Sequence, residues 1–419
     1  MSEIKERDQK YVLGTYSRFD VEIVSGSGSC AVDSEGKKYI DMGSGIAVNT
    51  FGYADKEWVK AVTEQLSKLQ HTSNLYYTEP CGELAELLCK KTGAKKVFFS
   101  NSGAEANECA IKTARKYAES RGVKDGKIIT LRHSFHGRTL GTLAATGQDV
   151  FHKDFLPLCG GFLYAEPGNT AELKKLIETE NVIAVMFECI QGEGGVLPLE
   201  KEYVKDMERL AREKDILLIA DEVQCGNGRT GAMYAYMNYG IVPDIVTTAK
   251  GLGGGLPIGA TLFFDKTENV LKAGEHGSTF GGNPAVCAGA VSVVSRLNDA
   301  LFEDVKRKSD YIFAELSGAY GVKSVSGMGL MIGIETEKDA SEVVKKCMEN
   351  GVLVLKAKNK VRLLPMIIAF QSMKYVLGVA KSPFRVPIHY VHVVVKASPH
   401  HGVLLALGSL GHVDSHKVK

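Results

Sequence analysis

No run of about 18 consecutive apolar residues occurs in this 419-residue chain, so the sequence predicts no membrane-spanning helix. An excess of one charge is missing too: 51 Lys and Arg stand against 49 Asp and Glu, leaving +2. A nearly neutral chain sets up no field that gathers nucleic acid or an anionic membrane, so a small-molecule partner is expected. The nine cysteines are scattered without a C-x-x-C pair, and an odd number cannot all pair within one chain. A reducing, cytoplasmic compartment is the expectation. The segment "MSEIKERDQKY" has neither the apolar stretch of a secretory signal nor the acid-poor composition of a transit peptide. Fixed-period repeats and low-complexity linkers are likewise absent. What is present, 44% hydrophobic and 24% charged residues, is the composition of a soluble globular enzyme long enough for two or three domains.

Between residues 55 and 265, short β-rich runs alternate with amphipathic helical runs. The helical spacing of Trp58, Val59, Val62, Leu66 and Leu69 predicts a helix over 55–70, and Ala110, Ile111, Ala114 and Tyr117 predict another over 104–120. Buried strands are expected at 96–100, 127–131, 182–188, 216–220, 245–248 and 261–264. This alternation predicts a doubly wound, mainly parallel α/β sheet. The first 55 residues read instead as a hairpin turning at Gly36, and a charged helix is expected over 304–316. The resulting division is a large domain, 61–300, and a second, smaller α+β domain assembled from 1–60 and 301–419.

Open α/β sheets bind ligands at the carboxyl ends of their strands, and the polar motifs fall there. Lys250 closes "IVTTAK" and opens "GLGGG", 29 residues after Asp221, which ends another apolar run. An amine at one strand end can form an imine with an aldehyde cofactor, while a carboxylate on a neighbouring strand keeps a pyridine nitrogen protonated. Each residue alone also reads as a surface charge or a helix cap. "SNSGAEAN" follows a strand and opens a helix, so Ser102, Gly103 and Ala104 offer donors for a phosphate, although an ordinary capped helix start has the same look. Thr279, in "GSTFGGNP", offers a second hydroxyl. "HSFHGRT" carries Phe135, suited to stacking on a flat ring, and Arg138, suited to a carboxylate, where core packing and a surface ion pair are the plain alternatives. "FECIQGEGG" brings Glu188 and Glu193 to a strand end as a possible acid–base pair or as solvated loop residues. If strand alternation persists past Asp221, Val223 shares its face and packs under the ring, with Gln224 beside it.

In this order and spacing, the motifs resemble the class III pyridoxal-phosphate aminotransferases of fold type I. "GIAVNTFGY", "HTSNLYY", "NSGAEANE", "HSFHGRT", "DEVQCGNGRTG", "TTAKGLGGGLPIGA" and "STFGGNP" carry the match, which runs from about residue 10 to Pro365. The resemblance implies pyridoxal 5′-phosphate attached to Lys250, Asp221 on its ring nitrogen and Phe135 on its face. It implies Ser102, Gly103 and Ala104 on the phosphate, helped by Thr279 from the other subunit of a homodimer. Arg138 and Tyr16 would bind one substrate carboxylate, and Arg362 a second, covered by Glu193 when the amino donor is present. The implied reaction moves a terminal amino group to 2-oxoglutarate, with N2-acetylornithine favoured over ornithine, succinylornithine or 4-aminobutyrate. An aminomutase, a catalytically weak cofactor-bound interaction protein and a nicotinamide dehydrogenase are the rival readings. "GMGLMIG" has the wrong glycine spacing for the last of these.

The chain departs from the family pattern after Pro365. Residues 366–419 hold one acid, Asp414, and six of the 11 histidines, where the family continues with an acidic amphipathic helix. A shifted reading frame or an unrelated extension is the expectation there, with Arg362 poorly supported as a result. The histidine spacings permit metal ligation, but no cysteine or carboxylate cluster accompanies them, and no metal is expected. Cys189 and Cys225 replace the proline and threonine usual beside such a site.

Overall fold

The computed structural model describes residues 2–368. The expectations for the carboxyl-terminal segment therefore fall, beyond Ile368, outside the described residues. Seven strands form the central sheet: β1 (Lys96–Ser100), β2 (Lys127–Leu131), β3 (Phe162–Ala165), β4 (Val182–Phe187), β5 (Leu217–Asp221), β6 (Ile245–Thr248) and β7 (Gly259–Phe263). Their spatial order is β1, β7, β6, β5, β4, β2, β3. Strand β7 pairs antiparallel with both β1 and β6, while the other pairings are parallel.

Strands β4 to β7 are buried along their whole length, which is why they read as continuous apolar runs rather than as alternation. Alternation survives in what each residue meets. Leu217 and Ile219 join one apolar cluster, with Ala110, Ala114 and Ala118 of helix α1 (Gly103–Ser120), whereas Leu218 and Ala220 join the other. The alanines let α1 lie close to the sheet. Leu84 and Leu88 of the helix Glu79–Thr92 and Leu210 of the helix Lys201–Lys214 belong to the second cluster, so the sheet is covered on both faces.

The hairpin Cys30–Asp33 with Lys38–Asp41 turns at Gly36, whose φ of +83° suits glycine, and Asp33 accepts from the amides of Glu35 and Lys37 across the turn. The strand Val352–Leu353 adds to it in parallel, joining the two ends of the chain. A separate antiparallel sheet contains Val322–Met328, Met331–Thr336, Lys360–Leu363 and Leu355–Ala357. Arg362 lies on the third of these, hydrogen-bonded on both sides. Support for it comes from within the described residues. Leu364 donates its amide to Met42, and Arg229 and the buried Lys308 bind the carbonyls of Pro365 and Ile367. The supporting helix that the family pattern places after this segment lies, beyond Ile368, outside the described residues.

Other differences have local causes. The edge strand β3 went unpredicted because it is four residues long and only Ala165 is buried. The helix expected over 304–316 starts earlier, at Asp299, where Asn298 caps the amide of Leu301. The first amphipathic helix runs Lys56–Lys68, with Asp55 capping Trp58, but only Val62 is buried; Val59 and Leu66 are 42% and 49% exposed. Trp58 and Val62 turn this helix's inner edge to the core, while Val59 and Leu66 stand at its exposed side.

Candidate active site

The loops that leave the carboxyl ends of β1, β2, β4, β5 and β6 converge. Asp221 is the last residue of β5 and is buried. Its Oδ1 accepts from the Val223 amide at 3.0 Å, and its Oδ2 accepts from Asn107 Nδ2 and His136 Nδ1, each at 2.8 Å. The chain turns immediately after Asp221, so the expected strand alternation to Val223 does not persist. Val223 reaches the site by the turn instead. Its Cγ1 lies 2.6 Å from where a Cβ on Gly103 would stand, so glycine is required for this approach. One residue thus packs the start of α1 against the acid.

Ser102 caps α1, its Oγ accepting from the Glu105 amide at 3.2 Å, and the first N–H groups of an 18-residue helix point from the same turn. Ala104 meets the β2 loop, since a Cβ on Gly137 would lie 2.9 Å from its methyl group. In that loop Phe135 is half-buried, its ring 5.6 Å from Phe151 in an edge arrangement. Its amide donates to Glu188 Oε1 at 2.8 Å, and Gly192 donates to the other oxygen at 3.4 Å. Burial, reinforced by the neighbouring Asp221 charge, pushes the Glu188 carboxyl well above the usual range. Glu188 therefore acts as a clamp between two loops rather than as half of an acid–base pair with Glu193.

Glu193 instead pairs with Arg362, Nη1 to Oε1, at 2.6 Å. Gln224 bridges them, accepting from Arg362 Nη1 at 3.0 Å and donating to Glu193 at 3.2 Å, so its amide is engaged at both ends. Burial opposes the Glu193 charge, but Arg362 holds its carboxyl below the usual range. Opposite Arg362 in the sheet stands Gly333, where a Cβ would lie 2.8 Å from Val196 Cβ; its absence lets the Glu193 loop close on the strand.

Lys250 follows β6 with φ +47°, a left-handed conformation that costs about 1–3 kcal/mol in a side-chain-bearing residue and gathers at functional sites. Thr50 Oγ1 binds the Gly251 carbonyl at 2.9 Å and Asn227 Nδ2 the Ala249 carbonyl at 3.2 Å, fixing the backbone on both sides. The residue is half-buried. Burial lowers the pKa of its amine from the ordinary lysine value, against the pull of Glu193, Asp221 and Glu188.

Asp221, Val223, Gln224, Phe135, Gly103, Glu193 and Arg362 are thus joined through a web of contacts, and Lys250 feels the charges of Glu193, Asp221, Arg362 and Glu188. Arg138 lies at the edge of this web, exposed, with its guanidinium 5.5 Å from the Phe135 ring and 4.5 Å from that of Phe151. Tyr16 is not brought in: it is 75% exposed, with Arg18 over its ring. Thr279 is exposed in a hollow of about 360 Å³ with His71, Ser73 and Asn74. Its neighbour Ser278 accepts from Asn101, one residue before Ser102, at 3.1 Å.

Asn107 and His136 went unassigned although both lie inside quoted motifs. A polar residue on the alanine face of α1 is the signal that marks Asn107. Glu222 was also missed. It is buried, accepts from the amides of Ala235 and Tyr236 at 2.8 and 2.7 Å, and has the Cys225 and Cys189 thiols 3.3 and 3.8 Å from its oxygens. Burial, only partly offset by these donors, pushes its pKa up to about 7. The folded protein keeps this proton between 4.5 and about 7, where the unfolded chain has lost it. Its stabilising contribution is complete below the unfolded value and lost as pH rises through the folded one. The melting temperature of Glu222→Gln minus that of wild type is therefore expected to increase by a few degrees between about pH 5 and about pH 8. A difference that stays constant over that range contradicts the assignment.

Pyridoxal phosphate fits this donor set. The turn without a Cβ at Gly103 and the helix amides suit a phosphate, Phe135 a ring face, Asp221 a protonated pyridine nitrogen, and Lys250 an aldehyde. The sheet order and this web define a fold type I pyridoxal-phosphate transferase. The chain belongs to the class III aminotransferases, whose family model, Aminotransferase class-III, matches residues 14–374. It is 48% identical over 369 residues to an acetylornithine aminotransferase of Haemophilus ducreyi, covering 87% of this chain and 94% of that one. A Caldanaerobacter subterraneus enzyme of the same name is 46% identical over 373 residues, with coverage of 87% and 94%. Among solved structures, the ornithine aminotransferase of Toxoplasma gondii superposes with a TM-score of 0.86 at 30% identity, covering 90% and 93% of the two chains. The N-acetylornithine aminotransferase of Stenotrophomonas maltophilia does so with 0.78 at 35% identity, covering 90% and 97%.

Proposed function

We propose that this enzyme moves the terminal amino group of N2-acetylornithine to 2-oxoglutarate, giving N-acetylglutamate 5-semialdehyde and glutamate, as a step of arginine biosynthesis. The observation that carries the reading is the Glu193–Arg362 ion pair, whose charges both act on the Lys250 amine, and the names of the relatives support the choice of donor. One site must take a donor whose reacting amine is remote from its single free carboxylate, then a keto acid with two carboxylates. An ion pair that closes for the first and opens for the second changes the pocket's charge between the two half-reactions.

When bound, pyridoxal phosphate supplies the aldehyde that takes up amines and a ring that spreads the electron pair of a broken C–H bond. Ser102, Gly103 and Ala104 hold its phosphate, helped by Thr279 of a second subunit. Phe135 and Val223 would hold its ring and Asp221 would keep its nitrogen protonated, while Gln224 serves the Glu193–Arg362 pair. Lys250 would be the cofactor's attachment point, and its amine would serve as the base that moves a proton at the substrate's terminal carbon. Its lowered pKa leaves more of the amine unprotonated near neutrality, which both roles require. Arg138 binds the donor's carboxylate and Arg362 the distal carboxylate of 2-oxoglutarate, while Tyr16, exposed and apart from these groups, is given no part in this reading.

A homodimer with shared active sites is part of this reading. Leu75, Tyr76 and Tyr77 are 87%, 69% and 106% exposed, and Asn74 binds the carbonyls of Ser278 and Gly281, which sets them beside Thr279 and the 59%-exposed Phe280. So large an apolar surface around a site residue suits a partner subunit. The cytoplasm suits nine cysteines that are all unpaired. A large unit over 61–300 with a smaller one from both chain ends remains our division of the fold.

Replacing Glu193 by Gln leaves Arg362 without its counter-charge in both half-reactions. Glu193→Gln is expected to lower kcat/KM for acetylornithine about tenfold while raising the use of glutamate as donor, an effect of the size of one charge-assisted hydrogen bond. Steady-state rates with acetylornithine, ornithine, succinylornithine, 4-aminobutyrate and glutamate test this and the donor choice together. No preference for the acetylated donor in wild type refutes that choice. Turnover without added 2-oxoglutarate favours an aminomutase.

A further inference from the structure

The two oxygens of Asp221 are not equivalent. Among the described residues, Oδ2 receives two side-chain donors, Asn107 Nδ2 and His136 Nδ1, whereas Oδ1 receives only the Val223 amide. The Asn107 amide cannot turn away, because Thr247 Oγ1 donates to its Oδ1 at 2.6 Å and its Nδ2 also reaches the His136 carbonyl at 2.7 Å. His136 is equally constrained. It is buried, and its amide donates to Thr146 Oγ1 at 3.0 Å. A carboxylate can only accept, so the ring proton sits on Nδ1. The buried Nε2 has no partner among the described residues, and a second proton there would be an uncompensated buried N–H. The Nδ1–H of His136 therefore faces the acid, and both side-chain donors orient it.

We propose that His136, together with Asn107, is a positioning residue: the pair saturates Oδ2 and leaves the open lone pair of Oδ1 as the acceptor for the protonated ring nitrogen of the cofactor. The inference rests on the pyridoxal-phosphate reading and adds to it which oxygen is used and what selects it. Thr247 extends the chain of constraint, so β6, α1 and the β2 loop all bear on one carboxylate of β5. None of these residues touches the reacting atoms.

The test compares holoenzymes carrying His136→Asn, His136→Gln and His136→Ala. Asparagine places an amide N–H where Nδ1 stands, glutamine places one where Nε2 stands, and alanine offers none. The readouts are the dissociation constant of pyridoxal phosphate from the apoenzyme, the 15N resonance of ring-labelled cofactor, and kcat and KM separately. His136→Asn is expected to stay within a few-fold of wild type and to keep the protonated-nitrogen resonance. His136→Gln and His136→Ala are expected to lose about ten- to hundredfold in kcat, the worth of one hydrogen bond to an ionised group, with KM nearly unchanged and the nitrogen resonance moved toward the unprotonated form. Wild-type cofactor uptake with an unaltered nitrogen resonance in the alanine variant overturns the inference alone. So does an asparagine variant as impaired as the alanine one. A wild-type protein that takes up no cofactor overturns the inference and the functional reading together.

Discussion

Lys250→Ala protein should still take up pyridoxal phosphate but form glutamate from acetylornithine and 2-oxoglutarate at least about 10⁴-fold more slowly than wild type. The expectation follows from what the side chain is asked to do. A positioned base alone contributes about 10²–10⁴ in rate, and here the same amine is also the group exchanged for substrate. The structure has prepared that amine: burial lowers its pKa, and the backbone behind it is pinned by Thr50 and Asn227 in a left-handed conformation. Lys250→Arg separates charge from chemistry, because a guanidinium keeps the cation but is never a free base near neutrality. It should be as slow as the alanine variant. Retention of more than about one hundredth of wild-type turnover by either variant contradicts a base whose loss costs at least that much. The binding groups around Ser102 and Asp221 are untouched by both substitutions, so an absorbance titration with cofactor separates lost chemistry from lost binding.

Asp221→Asn carries the second-largest expected effect, about 10²–10³ in kcat, by analogy with removing one preorganised charge-stabilising group from an active site. The replacement is isosteric but cannot be accommodated. Three donors, Val223 N, Asn107 Nδ2 and His136 Nδ1, point at its two oxygens, so either orientation of the new amide sets an NH₂ against at least one N–H. The charge that keeps the ring nitrogen protonated is lost at the same time. A linked change is expected at Glu188, whose carboxyl is raised first by burial and then by the Asp221 charge; neutralising Asp221 should let it fall part of the way back. Calorimetric melting distinguishes the catalytic loss from unfolding. A variant that folds, binds cofactor and turns over within about tenfold of wild type removes Asp221 from its assigned role, since a group of this kind contributes more than that.

How far the sequence could be read depended on whether a residue's meaning was local. Strands β1, β2 and β6 were legible to the residue because a buried strand needs an unbroken apolar run, and the acid and lysine at two such ends stood out against it. The turn at Ser102 was legible as a cap for the same reason. Val223 lies beside Asp221 and Gly103, but not by the expected strand alternation, since the chain turns after Asp221 and the valine arrives by packing on Gly103. Gln224 was assigned to the cofactor, yet in this structure both ends of its amide serve the Glu193–Arg362 pair. That engagement depends on residues 31 and 138 positions away and leaves no local pattern. Asn107 and His136 were hidden similarly, since their partner lies 114 and 85 positions further on. The outward stripe of Val59 and Leu66 is the opposite case. Periodicity located the helix correctly but could not say which residues of its apolar face are buried.

Borohydride treatment of the folded protein supplied with pyridoxal phosphate, followed by peptide mapping in a mass spectrometer, tests the central claim most directly. The expected result is a pyridoxyl group fixed to the peptide that contains Lys250, and little labelling there when acetylornithine without keto acid is added first. A label fixed on a different lysine, or none at all in protein that has taken up the cofactor, would contradict the assignment of Lys250 and with it the reaction proposed here.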